Sequence, residues 1–407
     1  VEKIMKPTTM SGLLKCFVFP FCLSLFFNPV SLDESLVWAG DPQTILVGTY
    51  TGGGSKGVYR LELNLETGQL QQRGLVAQLD QPSFLASSPK LPGYFYVVGE
   101  TEQFETKAGG SLSLLKYQPE TGTASLISQQ ATLGAAPCHV ICSSDGKFTA
   151  VANYSGGSFT VFDNVTSAEL NTESPLSLGA GFCFQNAGSS VNQSRQEGPH
   201  GHCVRFLPGS TDRLIAADLG TDQLLLLQLK VVDGQTQLQK VGQFKMPAGC
   251  GPRQIDFHPN GKWLYVINEL DSTMSHLTMP TQSGEIELLQ TVSTLPSEFK
   301  GNSSTAHLQV HPSGNFVYGS NRGHDSIAMF AIDSTTGNLN AMGHCLTGGS
   351  TPRHFLVEPS GKFLLAANQG SGSIVVFPID SKTGILGTSQ FQAAVPNPVC
   401  LLPFATK

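Results

Sequence analysis

Charge is what this chain has least of. Asp, Glu, Lys and Arg make up 13% of its 407 residues, about half the usual share. Its 30 acidic residues outnumber the 24 basic ones, for a net charge of −6. Without a basic excess it is not built to track nucleic acid or an anionic membrane surface. Any site for an anion has to be a local positive spot working against the overall field. Cysteine pairs are also missing. Nine cysteines occur, with no Cys-x-x-Cys among them. Setting aside Cys16 and Cys22 in the N-terminal apolar stretch leaves Cys138, Cys142, Cys183, Cys203, Cys250, Cys345 and Cys400. An odd number without tight spacing suits buried thiols and excludes a disulfide framework. Cys138 and Cys142 find no second pair to complete a zinc site. The Gly-rich Gly48–Gly57 lacks the spacing and the following helix of a phosphate loop, and no strand-to-helix nucleophile elbow is read in the chain.

Glycine and proline are plentiful, 44 and 24 residues, and they punctuate a repeat. The clearest copy runs from Gly251 to Met274. An alternating apolar run reaches His-Pro-Asn-Gly, a second run (Trp263–Glu269) returns, and a polar turn leads to a third strand. This is a β-meander with a turn every eight to twelve residues. Second strands ending on a polar residue recur at Thr49, Glu100, Asn153, Asp218, Asn268, Asn321 and Asn368, at intervals of 51, 53, 65, 50, 53 and 47 by subtraction. Seven copies at about fifty residues predict a seven-bladed, all-β propeller over 44–404. The one long interval holds a Ser/Gly/Asn-rich segment, 167–196, read as an insertion on a loop between blades three and four. The first copy lacks its innermost strand and Pro398–Phe404 is left over, so the last strand is expected to complete blade one and close the ring.

Ahead of the repeat, Lys3, Lys6 and Lys15 precede the apolar run Cys16–Phe27, and Val37-Trp38-Ala39 precedes Gly40. Residues 1–39 read as a signal-peptide-like leader, too short for a transmembrane span. It implies a secreted or periplasmic protein if it functions, and a cytoplasmic one otherwise.

In a meander, the start of the first strand and the end of the second share one edge, so both gather at one mouth of the central channel. His139, His307 and His354 recur fourteen residues before Asn153, Asn321 and Asn368. His202 stands sixteen before Asp218, through a turn read as two residues longer, and Gln254 holds the place in blade five. A residue that recurs with the repeat is first explained by the repeat, as a hydrogen-bonded core group. The ring of His lacks the acidic partners a metal site needs. The residues that break the repeat are more informative. Arg253 and Arg353 lie one place before the His/Gln position, and Glu269 and Arg322 follow two terminal Asn residues. His202, Arg253, Glu269 and Arg322 are therefore expected together at one side of the mouth. They suit acid–base chemistry on an anion and suit a structural ion-pair network equally well.

At these residues the chain resembles the seven-bladed propeller lactonase family, which includes propeller-type 6-phosphogluconolactonases and carboxymuconate lactonizing enzymes. The resemblance rests on Val47–Tyr59, Gly198–Val204, Gly251–Ser272, Ser320–Phe330 and Thr351–Gln369. It implies hydrolysis of a sugar lactone, foremost 6-phosphogluconolactone, with neither cofactor nor metal. His202, Glu269, Arg253 and Arg322 are the implied catalytic set: the arginines hold the substrate anion and the oxyanion, Glu269 acts as base or orients an Arg, and His202 acts as acid. His200, His307, Arg353 and His354 are the expected substrate-binding residues, with His200 the fallback for His202. Gln254 stands where relatives often have His, and Ala306-His307 where they often have Ala-Glu. The alternatives are a muconate-type cycloisomerase at the same residues, or a secreted propeller that binds carbohydrate or protein without turnover. The sequence sets no oligomeric state.

Overall fold

The computed structural model describes residues 42–166 and 176–405; the leader expected at 1–39 lies outside the described residues. Seven antiparallel four-stranded sheets stand as blades in a ring, with one extra hairpin, Gln103–Phe104 and Lys107–Ala108. The expected seven-bladed propeller is therefore present. Among the described residues no helix is long and apolar enough to cross a membrane. From blade one to blade seven the inner strands are Pro398–Phe404, Pro82–Ser87, Pro137–Cys142, Gly201–Phe206, Pro252–Phe257, Ser304–Val310 and Pro352–Val357. Pro398–Phe404 pairs with Gln43–Thr49, which completes blade one with the other end of the chain and closes the ring as expected.

Neighbouring blades pack face to face, and this explains why second strands read as unbroken apolar runs. In Trp263–Asn268, Leu264 and Val266 join a cluster with Ile215, Ala217 and Leu224 of blade four. Tyr265 and Ile267 point the other way, against Leu308, Val317 and Phe330 of blade six. A strand buried on both faces needs no polar alternation.

Five inner strands begin with Pro, at a sheet edge where the missing N–H costs no ladder bond. The residue before each Pro (Gln81, Ala136, Gly251, Thr351 and Asn397) has φ between 46° and 63°. That left-handed turn aims its carbonyl at the first N–H beyond the neighbouring second strand: Glu100 bonds Gln81 O (2.9 Å), Tyr154 bonds Ala136 O (2.8 Å), Glu269 bonds Gly251 O (2.7 Å), Gln369 bonds Thr351 O (2.9 Å) and Tyr50 bonds Asn397 O (3.1 Å). Strained backbone thus lies beside the mouth, where strain is commonly stored. The terminal polar residues are clamps: Asn268 Nδ2 donates to Thr273 Oγ1 (2.8 Å) and Ser275 Oγ (3.0 Å), and Asn153 ties Ser158 and Thr160 in the same way.

Pairing corrects two registers. Pro82 faces Gly99, as Pro137 faces Asn153. The repeat position in blade two is therefore Gly99, and Glu100 is its successor, equivalent to Tyr154 and Glu269. In blade four Gly201 faces Asp218 and Cys203 faces Ala217, whereas His139 faces Ala152. Cys203 is thus the counterpart of His139, and His202 sits one place earlier. The blade-four turn is one residue longer than that of blade three, not two (Phe206↔Leu214 against Cys142↔Thr149), and one residue of register moves a side chain to another face. The segment 167–196 is also more than a loop. Its part Leu176–Gln185 is the outer strand of blade three, paired with Ser158–Thr166.

Candidate active site

Two tiers of side chains meet at the mouth where inner strands begin. One comes from the second residue of each inner strand and includes Cys138, His202, Arg253 and Arg353. The other comes from the residue after the repeat position of each second strand, Arg322 still within its strand: Tyr50, Glu100, Tyr154, Leu219, Glu269, Arg322 and Gln369. A cavity of about 280 Å³ between them is lined by Glu100, Cys138, Tyr154, Arg195, His202, Glu269, Ser304, Arg322 and Arg353. That is the small end of ligand-pocket sizes, suited to one sugar ring.

Glu269 is the hub of one wall. Its Oε2 accepts Arg253 Nε at 2.8 Å and lies 3.0 Å from Arg322 Nη2 and 4.0 Å from His202 Nε2. Its Oε1 accepts Arg195 Nη2 at 2.7 Å. The inner arginines are also pinned to backbone: Arg253 Nη1 donates to Ala306 O, and Arg322 Nη2 to Thr305 O at 2.6 Å. Burial pushes the Glu269 carboxyl up, but Arg322, Arg253 and His202 outweigh it and hold it well below the usual carboxylate range. Burial draws Arg322 down to about 10, so it stays cationic at neutrality. A carboxylate held this firmly ionised is a weak base and a strong anchor. His202 behaves oppositely. Burial, then Arg253, drives its pKa well below 6.5 against the pull of Glu269, leaving a neutral imidazole at neutral pH. The Cys138 thiol beside it, 3.7 Å from His202 Nδ1, is pushed well up by burial and then by Glu100. It is not poised as a thiolate nucleophile.

The other wall holds Glu100, Tyr50 and Arg353. The Tyr50 hydroxyl lies 2.9 Å from both Glu100 oxygens and accepts Arg353 Nη2 at 2.8 Å, with the guanidinium 5.2 Å from the Tyr50 ring centroid. Burial raises the Glu100 pKa, with Arg353 opposing.

The structure thus gathers His202, Arg253, Glu269, Arg322 and Arg353 as expected, and adds Glu100 and Arg195. Glu100 was masked by the one-residue shift in blade two; it lies 18 residues after Pro82, where Tyr154 and Glu269 lie 17 after Pro137 and Pro252, so counting from the Pro misses it as well. Arg195 lies in a segment with no counterpart in other blades, and no local signal marks it. His200 does not line the cavity. It stacks on Tyr154 (centroids 4.6 Å apart), with Nδ1 3.1 Å from Tyr154 O and Nε2 3.1 Å from Glu197 Oε1. His307 and His354 sit one layer deeper, stacked on each other at 3.9 Å, and burial lowers the pKa of both, as it does for His139.

A larger cavity of about 670 Å³ opens at the other end of the channel. His139, Gln254, His307 and His354 line its inner part; Arg205 pairs with Asp256 at 3.3 Å, and Gln309 bonds the Val357 backbone both ways. The letters Gly53–Gly57 fit Gly-x-Ser-x-Gly, but Ser55 lies buried in a strand-to-strand turn, bonded to Thr49 Oγ1 at 2.6 Å, with no helix behind it.

Comparison with known proteins gives one answer. The family model described as lactonase, 7-bladed beta-propeller, matches residues 44–403. The 6-phosphogluconolactonase of Bacillus subtilis is 36% identical over 295 residues, 72% of this chain and 78% of that protein. The 6-phosphogluconolactonase of Formosa agariphila is 33% identical over 291 residues, 71% of this chain and 78% of that one. Among solved structures, the periplasmic gluconolactonase of Pseudomonas aeruginosa matches with a TM-score of 0.80 at 28% identity, covering 90% of this chain and 100% of its own.

Proposed function

The chain belongs to the seven-bladed β-propeller lactonase family, and from that premise we propose that this carboxylic ester hydrolase opens 6-phosphogluconolactone to 6-phosphogluconate at the charged mouth cavity. The observation that carries the choice of substrate is the charge of the mouth. Among the described residues, Arg195, Arg322 and Arg353 line the cavity with Arg253 behind them, against the carboxylates of Glu100 and Glu269, a positive well in a chain of net charge −6. Such a well draws an anionic lactone against the overall field.

In this reading His202 is the base and then the acid, because it is neutral and faces the cavity. It takes a proton from water as the water oxygen bonds to the lactone carbonyl carbon. The carbonyl π electrons pass to oxygen, and Arg322, with Arg253 behind it, stabilises the oxyanion. Collapse breaks the bond from that carbon to the ring oxygen, which receives the proton held on His202 and leaves as a hydroxyl. The resulting carboxylic acid loses its proton to solvent. Glu269 fixes the arginines, and its negative charge steadies the transient imidazolium. Glu100 and the Tyr50 hydroxyl offer acceptors to the sugar hydroxyls. The leader read at 1–39, with the periplasmic description of the Pseudomonas aeruginosa relative, supports an exported enzyme.

The test is hydrolysis of 6-phosphogluconolactone and of unphosphorylated gluconolactone by protein starting at Gly40, corrected for spontaneous opening. Turnover of the phosphorylated lactone, lost in Glu269→Gln and Arg322→Ala, is the expected result. Full activity of Arg322→Ala would overturn the assignment of the site.

A further inference from the structure

Three guanidiniums surround Glu269, and they are not alike. The side chain of Arg253 is 5% exposed and that of Arg322 14%, and each is tied to a backbone carbonyl. The side chain of Arg195 is 40% exposed, and both its hydrogen bonds, to Glu269 and to the Tyr154 hydroxyl at 3.0 Å, come from Nη2. Among the described residues Nε and Nη1 of Arg195 make no hydrogen bond. A single carboxylate balances one of these three charges, so the rim of the site carries an excess of positive charge, and its outermost donors face solvent.

Arg195 is held there by construction. It rides on a strap, 186–198, that leaves the outer strand of blade three and crosses to the inner strand of blade four. Asn186 Nδ2 donates to Asp218 Oδ2 at 2.7 Å. Gln196, fully buried, donates to Leu219 O (2.9 Å) and Asp222 Oδ1 (2.8 Å). Ser190 Oγ donates to Asp222 Oδ2 at 2.5 Å. Asp222 in turn accepts the N–H groups of Gly249 (2.6 Å) and Gly251 (2.7 Å), so one buried carboxylate clamps the strap to the turn that leads into Arg253. The strap's own carboxylate, Glu197, is turned onto His200 Nε2 at 3.1 Å.

We propose that Arg195 is the specificity residue that selects a phosphorylated lactone, by taking the phosphate at the rim through its free guanidinium edge. The inference rests on the lactonase reading above. The C1 carbonyl and ring oxygen have to reach His202, which is 5% exposed, and the exocyclic C6 end of the carbon chain, borne on C5, then extends off the ring toward the rim. That end carries the phosphate, a strongly hydrated dianion best held half in water by a planar fork of N–H donors. An unphosphorylated lactone offers Arg195 nothing of comparable charge.

The experiment measures kcat/KM on 6-phosphogluconolactone and on gluconolactone for the wild type, Arg195→Ala and Arg195→Lys, with inorganic phosphate titrated calorimetrically into each. The preference for the phosphorylated lactone is expected to fall roughly tenfold to a hundredfold in Arg195→Ala, chiefly through KM. Lys should restore part of it, and phosphate binding should weaken in parallel. An unchanged ratio overturns the inference: if both activities fall together, Arg195 acts only through Glu269, and if neither falls, it makes no phosphate contact. A wild type that opens neither lactone defeats the lactonase reading instead, and the inference then stands or falls on whether phosphate binding depends on Arg195.

Discussion

Glu100 and Glu269 occupy the same place in the repeat, three blades apart. Each is the first residue beyond a second strand, and each N–H bonds the carbonyl that precedes an inner strand, Gln81 O at 2.9 Å and Gly251 O at 2.7 Å. The shared backbone brings both carboxylates to one cavity, and their neighbours drive them apart. Glu269 is ringed by guanidiniums that keep it ionised. Glu100 is buried against a phenol and one arginine, and its pKa rises. Carboxylates in such divergent settings are expected to do different work.

Glu269→Gln should lower kcat/KM by about two to three orders of magnitude, in the range seen when oxyanion stabilisation is lost, because the arginines lose their anchor. Stability should fall by about 3–5 kcal/mol, as for other broken buried ion pairs, read from urea unfolding. If His202 is the base, kcat/KM stays flat from neutrality to well below pH 6.5 and drops only as the imidazole is protonated. Without the Glu269 charge, which raises the His202 pKa, the residual activity of the Gln variant should drop at still lower pH. A limb that moves up, or disappears, in the variant would return the base to Glu269.

Glu100→Gln keeps a partner for the Tyr50 hydroxyl and removes a charge. KM should rise about tenfold, in keeping with the loss of charge-assisted hydrogen bonds to sugar hydroxyls. In the wild type the carboxylate form is available only above its raised pKa, so KM should fall as pH rises through that value and the variant should lose this dependence. An unchanged KM with a lower kcat would assign Glu100 to the chemical step instead.

His354→Gln tests the deep His layer through its proton linkage. Burial, then Arg253, pulls His354 down to about 3, below the unfolded value of about 6.5. Its contribution to stability is whole above about pH 6.5 and is lost as pH falls toward 3, at about 1.4 kcal/mol per pH unit. Gln is already the residue of blade five at this position, Gln254. The variant should show a shallower decline of unfolding free energy between pH 6.5 and 4, by roughly that slope. Parallel curves would mean that His354 is protonated in the folded protein.

Leu401 tests ring closure. It lies on the C-terminal inner strand opposite Val47, 3% exposed, against Ile45, Val47 and Leu365. Leu401→Ala should cost about 2–5 kcal/mol, and deletion of 398–407 should abolish cooperative unfolding, because blade one loses its innermost strand. Cooperative thermal unfolding of the truncated chain would show that closure is dispensable.

The seven-fold repeat, the closing strand and the Arg253–Glu269–Arg322 group were legible in the sequence. Apolar alternation and turn spacing are local properties, and Glu269 and Arg322 stand out as charges where the repeat has none. Tertiary structure alone decided the rest. Blade two ends its second strand on Gly99, which carries no polar side chain to mark the register, so only strand pairing places Glu100 beside Glu269. A single extra turn residue in blade four, visible only as a pairing offset, moves His202 from the deep His layer to the reacting tier. Arg195 belongs to no repeat at all. Its position depends on bonds to Asp218, Leu219 and Asp222 and on a carboxylate 74 residues further along the chain, contacts that exist only once blades three, four and five have packed together.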